Sequence, residues 1–584
     1  METGVGRRTL FLLLGLVLAL RLPFLNQAVQ GDDDTYLKEA AHALIEPLHP
    51  ARTQYVFRGE PVDLRGHPHP PLNAWILAGL IAATGGVKEA PFHAAYILFS
   101  LVAVWAMWVL ARRFSERPVW AVLLFLAVPA FVVNGTSFET DLPFLAFWIA
   151  AVALFVSGRL AAAALAMAAA SMTAYQAIFL VPILAVYTWL FRRGDRASWA
   201  TLFTPPAVIA GWQIFERTTT GAAPATVLTG YFSKYGFQAI EVKLANALML
   251  FIHSWFIVFP LLAVGAAALA WKKRAEPSTQ FLIAWVALFF TGAVAVFFAG
   301  SARYLLPMAA PVALLASRLN ARWLAPAFAI QMALSLGLAA ENYQHWDAYR
   351  KFAEGKPRMW VNGEWGLRHY LEDAGALPLE KTTELRGGDV IITSELGRAV
   401  DVTARTAAIR TAEIRPWIPL RILGLESHSG YSTVSAGFWP FGISKGVVDR
   451  LRLDQVVERH VTLEYLPMNA PEAADQILTG IYGLDDNRFR WMGRSGTVLL
   501  KPPAAPTPLR VDLYVPPEAP ARRVTLRLDG REVASETYPG PGGYSLVTAA
   551  ETGRSLTIEV DQTFFAPGDS RELGVVLTGA GFRP

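Results

Sequence analysis

The chain has 584 residues, of which 53% are hydrophobic and 17% charged, with a formal net charge of +5 and a mean hydropathy of +0.34. A chain this long and this apolar falls outside the ordinary soluble class and reads as a polytopic membrane protein. Its basic residues sit in short clusters between apolar stretches, the pattern of topology signals rather than of a nucleic-acid surface, and the absence of cysteine excludes disulfides, thiol catalysis and Cys-ligated metals.

The first apolar stretch, 9–25, follows Arg7-Arg8. It lacks a small-residue cleavage site, and Arg21 and Pro23 stand where one would be needed, so the expectation is an uncleaved first membrane helix. Further spans are expected at 92–111, 118–133 and 142–157. The uncharged run 160–191 is too long for one helix and is expected to divide near Thr173–Gln176. Later spans are 198–215, 244–270, 279–299, 303–319 and 323–340, for a total of about eleven. That count places five basic clusters in the cytoplasm: Arg7-Arg8, Arg112-Arg113 with Arg117, Arg192-Arg193 with Arg196, Lys272-Lys273-Arg274, and Arg318 with Arg322. Loops 26–91, 134–141, 216–243 and 300–302 then face outward, as does everything after 341. Segment 72–86 is read as a helix at the outer interface, because counting it as a span would move every later basic cluster to the wrong side.

From Glu341 onward charges become frequent and long apolar runs disappear. Residues 363–380 read as a helix and turn, 389–396 as a strand and 473–484 as a second helix, giving a mixed α/β segment over 341–500. A Pro-rich linker, 501–508, is expected to separate it from a small antiparallel β-sandwich at 509–584, where short alternating runs are divided by Asp529-Gly530 and the PGPGG stretch at 539–543. The transmembrane unit is 1–340.

Several outward residues could do chemistry. Asp32, Asp33 and Asp34 follow the first span and precede Tyr36 and a helix-like run. A carboxylate at a low-dielectric boundary can serve as general base, because desolvation raises its pKa; equally, an Asp there can cap a helix. One Asp can cap while another catalyses. His67 and His69 lie in RGHPHPPLNAW (65–75), a stiff segment that can meet a phosphate, hold a metal or be only a rigid loop. Glu139 and Asp141 occupy the next outer loop, ahead of Pro143, and could approach the first acidic group. Arg303 opens a span at the outer face, either as a snorkelling anchor or as a phosphate clamp. Tyr175 and Gln176 interrupt an apolar run and should face protein or a cavity, through interhelix hydrogen bonds or substrate. There is no P-loop, no GxGxxG after a strand and no Ser or Cys nucleophile motif, which disfavours a nucleotide-driven pump.

The order of these elements resembles the GT-C superfamily of membrane glycosyltransferases, in particular the bacterial relatives of protein O-mannosyltransferases and lipid A aminoarabinose transferases. Asp32-Asp33-Asp34-Thr35-Tyr36 matches that family's acidic pair and tyrosine, with Asp33 in place of Glu. His69-Pro70-Pro71-Leu72 matches its His/Lys-Pro-Pro-Leu element, Asp141-Leu142-Pro143 its second acidic loop, and Arg303-Tyr304-Leu305-Leu306-Pro307 its Arg-Tyr-x-x-Pro element. The match covers roughly 1–345 and departs at Ala174, where relatives often carry lysine. The resemblance implies a GT-C fold and an inverting transferase that takes a sugar from a polyprenyl-phosphate donor. The acceptor would be a lipid, glycan or protein at the outer face of a bacterial inner membrane, with no nucleic acid involved. It implies Asp32 and Asp33 as catalytic, with Asp32 the base. Tyr36, His67, His69, Asp141, Tyr175, Gln176, Arg303 and Tyr304 would contact substrate. No cofactor is expected, although some branches of the family use a divalent cation. A lipid or glycan transporter is the alternative; against it, the polar residues gather at the outer face and no two-halves repeat is visible.

Overall fold

The computed structural model describes residues 4–583 except 68, 235, 237–238, 298–299, 356–358, 433–435, 458–459, 567–568 and 570. Pro68 of the two-histidine segment and the last two residues of the expected 279–299 span therefore lie outside the described residues.

Proline marks several of the helix starts and breaks. Among the described residues, three helices are long and apolar enough to cross a membrane by length and composition: Glu89–Phe114, Pro277–Val296 and Ala321–Ala353. Pro118–Leu126 with Pro129–Thr136, bent at 64°, passes the same test as a pair and is either a broken span or a re-entrant loop. Several stretches expected as single spans are two helices. The 118–133 span breaks before Pro129, 198–215 becomes Arg196–Thr201 and Thr204–Thr220, and 244–270 becomes Ile240–Ser254 and Pro260–Lys272. In each case proline sits in the first turn of the second helix, where its missing N–H costs nothing and its fixed φ suits helix initiation. The run 160–191 divides where expected, into Leu160–Ser171, a short 3-10 turn Tyr175–Phe179, and Leu180–Phe191. Segment 72–86 forms the helix Leu72–Thr84, ended by Gly85 in the left-handed region at φ 72°. Val104, Phe125, Trp148, Leu184, Trp285 and Leu314 are among the fully buried side chains of the helical core.

The Ala321–Ala353 helix runs uninterrupted through the expected boundary at 340 and carries the chain into a mixed α/β domain. There Trp360–Asn362, Leu377–Pro378, Val390–Ser394, Thr406–Ile414 and Asp449–Val456 make a five-stranded mixed sheet. The helix Trp365–Asp373 packs against it through Leu367 and Leu371. The expected helix at 473–484 is a single turn, Ala473–Gln476, followed by the strand Ile477–Asp485. Ile477 and Ile481 enter a β core, and Gly480 at φ 70° lies so close to the Ser495 carbonyl that a side chain would not fit. Tertiary packing overrides the local helical pattern there.

The Pro-rich segment 501–508 does not separate two units. Tyr465–Pro467, Ile477–Asp485 and Phe489–Leu499 share a nine-stranded antiparallel sheet with the six strands from Thr507–Val515 to Val576–Phe582. The sheet curls so that Tyr538 and Tyr544, on its two end strands, stack at 4.3 Å.

Candidate active site

Gly31 turns the chain at φ 46° into the helix Asp33–Ala43. Successive helical residues are rotated by about 100°, so three consecutive carboxylates at its start face three directions. Asp33 turns inward. Its Oδ1 accepts the Ser137 hydroxyl and the Phe138 amide, both at 2.7 Å, and its Oδ2 accepts the Gln30 amide at 3.1 Å. Burial pushes this carboxyl up to about 7, against the pull of those three hydrogen bonds, with the neighbouring Asp32 adding to the rise. Asp34 faces the helix Trp365–Asp373, with Lys38 Nζ at 2.9 Å and His369 Nδ1 at 3.2 Å. Burial alone would raise it; Lys38, His369 and Arg368 overcome that and hold it below the usual carboxylate range. Asp32 alone of the three stays reachable, its side chain 43% exposed.

Asp32 looks toward Arg303, which begins the short turn Ala302–Leu305 ahead of the helix Leu306–Ala316. The guanidinium lies 3.6 Å from Asp32 Oδ2 through Nη2 and 3.7 Å from Asp141 Oδ2 through Nε, while Nη1 contacts Glu139 Oε2 directly. Glu139 Oε1 also accepts the Asp32 amide at 3.3 Å, and a Cβ on Gly31 would sit 2.9 Å from that oxygen. Glu139 thus ties the segments around Asp32 and Asp141 to Arg303. The turn holding Arg303 is fixed from outside: the Tyr431 carbonyl accepts the Ala302 amide at 2.9 Å and the Ser301 hydroxyl at 2.8 Å. The Tyr431 hydroxyl donates to Asn134 Oδ1 at 2.5 Å.

Tyr36, one turn into the same helix, has its ring 4.7 Å from His67 and 5.8 Å from His69. Its hydroxyl and His69 Nδ1 both reach Thr140 Oγ1, at 3.5 and 3.3 Å. Burial, with His67 and Arg303 nearby, keeps the His69 ring well below the usual histidine value, so it is neutral at pH 7. His67 pairs instead with Glu39 at 3.0 Å. Tyr304 lies beside its neighbour's guanidinium, which stacks 5.4 Å over its ring.

Tyr175 and Gln176 stand apart from this cluster. The Tyr175 hydroxyl accepts from Gln213 Nε2 at 2.9 Å, and Gln176 Oε1 is buried with no hydrogen-bond partner. Their segment reaches the outer loop through backbone, the Leu72 amide donating to the Met172 carbonyl at 2.9 Å. Among the described residues no group of three or more His, Asp or Glu side chains is arranged to hold a metal ion. Arg303 itself fills the space between Asp32, Glu139 and Asp141.

Sequence reading placed Glu139 in the right loop but did not foresee its central contact. Its only sequence signal is a second acid two residues before Asp141. Ser137, Thr140, His369 and Tyr431 carry no such signal, because their roles exist only once distant segments meet. Beside the cluster an apolar pocket opens, lined by Val128, Pro129, Phe256, Leu305, Tyr431 and Phe441.

Residues 68–212 match the family model described as dolichyl-phosphate-mannose-protein mannosyltransferase. No curated protein matches the chain. Among solved structures, ArnT from Cupriavidus metallidurans bound to undecaprenyl phosphate aligns at 14% identity and TM-score 0.39, over 60% of this chain and 69% of that one. Arabinofuranosyltransferase AftD from Mycobacteria aligns at 12% identity and TM-score 0.39, over 98% of this chain, which spans only 58% of AftD.

Proposed function

We propose that the protein is an inverting glycosyltransferase that moves a sugar from a polyprenyl-phosphate donor to an acceptor at the outer face of the membrane. The observation that carries this reading is the pairing of one exposed carboxylate, Asp32, with one enclosed guanidinium, Arg303, at 3.6 Å. Direct displacement at an anomeric carbon needs a base on the acceptor side and positive charge on the leaving phosphate. Asp32 takes the proton of the acceptor hydroxyl or amine. The acceptor atom bonds to the anomeric carbon from one face as the bond to phosphate oxygen breaks on the other, and polyprenyl phosphate leaves with the electron pair. Arg303, exchanging a carboxylate partner for phosphate, stabilises the charge that develops there. Neutral His69 and Tyr36 line the approach as hydrogen-bonding groups. Asp33 is a positioning residue, holding the helix start against the 137–138 backbone.

The family match over 68–212 weighs on the side of this reading. The test uses purified protein in lipid with a panel of undecaprenyl-phosphate sugars and follows release of polyprenyl phosphate. Release that depends on Asp32 supports the proposal. A folded protein that binds donor and releases nothing with any acceptor overturns it in favour of transport.

A further inference from the structure

We propose that two arms of the outer domain, 416–421 and 438–443, are seated in the outer leaflet of the bilayer beside the long Ala321–Ala353 helix. This rests on reading that helix as membrane-crossing. The arms pair as a short antiparallel ladder, Leu420 opposite Ile443 and Arg421 opposite Gly442. They lie on the helix rather than above it. Gly337 leaves the space that Leu420 fills, since an added Cβ would meet Leu420 Cδ1 at 2.7 Å. Counted from Arg322 at about 1.5 Å per residue, Gly337 is roughly 22 Å up the helix. The hydrocarbon layer is about 30 Å thick, so the Leu420 contact falls within it. A second contact is deeper still. Gln331 Nε2 donates to the Phe256 carbonyl at 3.1 Å, and the Phe256 ring meets Trp439 at 6.2 Å and Phe441 at 5.9 Å.

The outward side chains of these arms are apolar and large: Trp417 is 81% exposed, Ile443 78% and Trp439 59%. They continue the exposed apolar face of the membrane helices, where Ile330 is 54% and Phe251 52% exposed. Around a water-facing domain such a patch would cost solubility; at this depth it faces lipid. Trp417 marks the upper edge. Its amide donates to Gln344 Oε1 at 3.0 Å, roughly 33 Å up the helix by the same rise, which is the headgroup level that tryptophan favours. Three carbonyls of the arms are paired, as hydrocarbon demands: the Gly430 amide donates to the Trp439 carbonyl at 2.8 Å, the Ser444 amide to the Pro419 carbonyl at 3.0 Å, and His253 Nε2 lies 3.0 Å from the Phe438 carbonyl. Exposed Lys445, just past the second arm, can reach back to lipid phosphates. The partner of this surface is the lipid itself.

Because the chain has no cysteine, single-site labelling tests this directly. Ile443→Cys and Trp417→Cys carry a nitroxide in proteoliposomes, with Ile330→Cys as the in-membrane reference and Val547→Cys, at an exposed position of the C-terminal sheet, as the aqueous one. Collision with oxygen is compared with collision with a water-soluble nickel chelate. The expected result is that position 443 matches 330, several-fold less accessible to nickel than 547, with 417 between them. Nickel access at 443 equal to that at 547, while 330 stays protected, overturns the proposal. Nickel access at 330 as well overturns the membrane reading of the helix beneath it. As a label-free second measurement, Trp439→Phe should remove part of the fluorescence quenched by brominated lipids; no loss of quenching counts against the arms being in lipid.

Discussion

His369 Nδ1 meets Asp34 Oδ1 at 3.2 Å, so the mixed α/β domain grips the very helix whose start leaves Asp32 exposed beside Arg303. The contact has a pH signature. Burial depresses the His369 ring, but the hydrogen bond and charge of Asp34 outweigh it, and the ring titrates above its ordinary value. A histidine with a raised folded pKa contributes stability that is fully present below its unfolded value of about 6.5 and is lost as pH rises through the folded one. Thermal unfolding in detergent or lipid should therefore show a fall in stability as pH climbs past neutrality. His369→Gln should flatten that fall. An unchanged pH profile in His369→Gln would show that the contact contributes nothing to docking.

Asp32→Asn should reduce turnover by about 10²–10⁴-fold, the usual worth of a general base. Donor binding, read by titration with a polyprenyl phosphate, should persist. Loss of binding together with turnover would mean that Asp32 organises the site rather than takes the proton.

Asp33→Asn should act on folding. The substitution places an amide where two backbone amides and a hydroxyl already donate, and a buried mismatch of this kind costs about 1–3 kcal/mol. The melting temperature should drop, and Ser137→Ala, which removes one of the donors, should lower it by less. Asp33→Asn with full thermal stability and no turnover would return Asp33 to the chemistry.

On the proposed reading, in which Arg303 meets the donor phosphate, Glu139 competes with that phosphate for it. Glu139→Gln removes one negative charge from the phosphate approach and should tighten polyprenyl-phosphate binding, by up to about tenfold for each 1.4 kcal/mol of repulsion relieved. Arg303→Ala should weaken it. Equal affinity in wild type and both variants would remove Arg303 as the phosphate contact.

Since Arg303 already supplies positive charge between the three carboxylates, turnover should be unaffected by EDTA. A loss restored by added manganese or magnesium would assign those carboxylates to a metal.

What the sequence made legible follows from where local pattern and final packing agree. The Leu72–Thr84 helix, the division of 160–191 and the strand near 390–394 stand where hydropathy and charge put them. The break before Pro260 was hidden because apolar residues flank it on both sides, and a hydropathy run cannot register one missing backbone donor. Ala473–Asp485 misled because good helix formers precede the strand, while the deciding contacts of Ile477 and Ile481 lie on strands reached much later in the chain. The order of Asp32, His69, Asp141 and Arg303 was readable as a motif series. Which of three adjacent carboxylates stays reachable was not, because that depends on the angle at which the helix leaves Gly31.

That angle is an address system. Asp32, Asp33 and Asp34 are chemically identical, and only their rotation about the helix axis leaves one exposed beside Arg303, turns one to the neighbouring loop and one to the helix Trp365–Asp373. Deleting a single residue between Gly31 and Tyr36 would leave carboxylates in place yet turn each by about 100° into another's post. Composition would barely change while every assignment was permuted. In this loop, chain register carries information that side-chain identity does not.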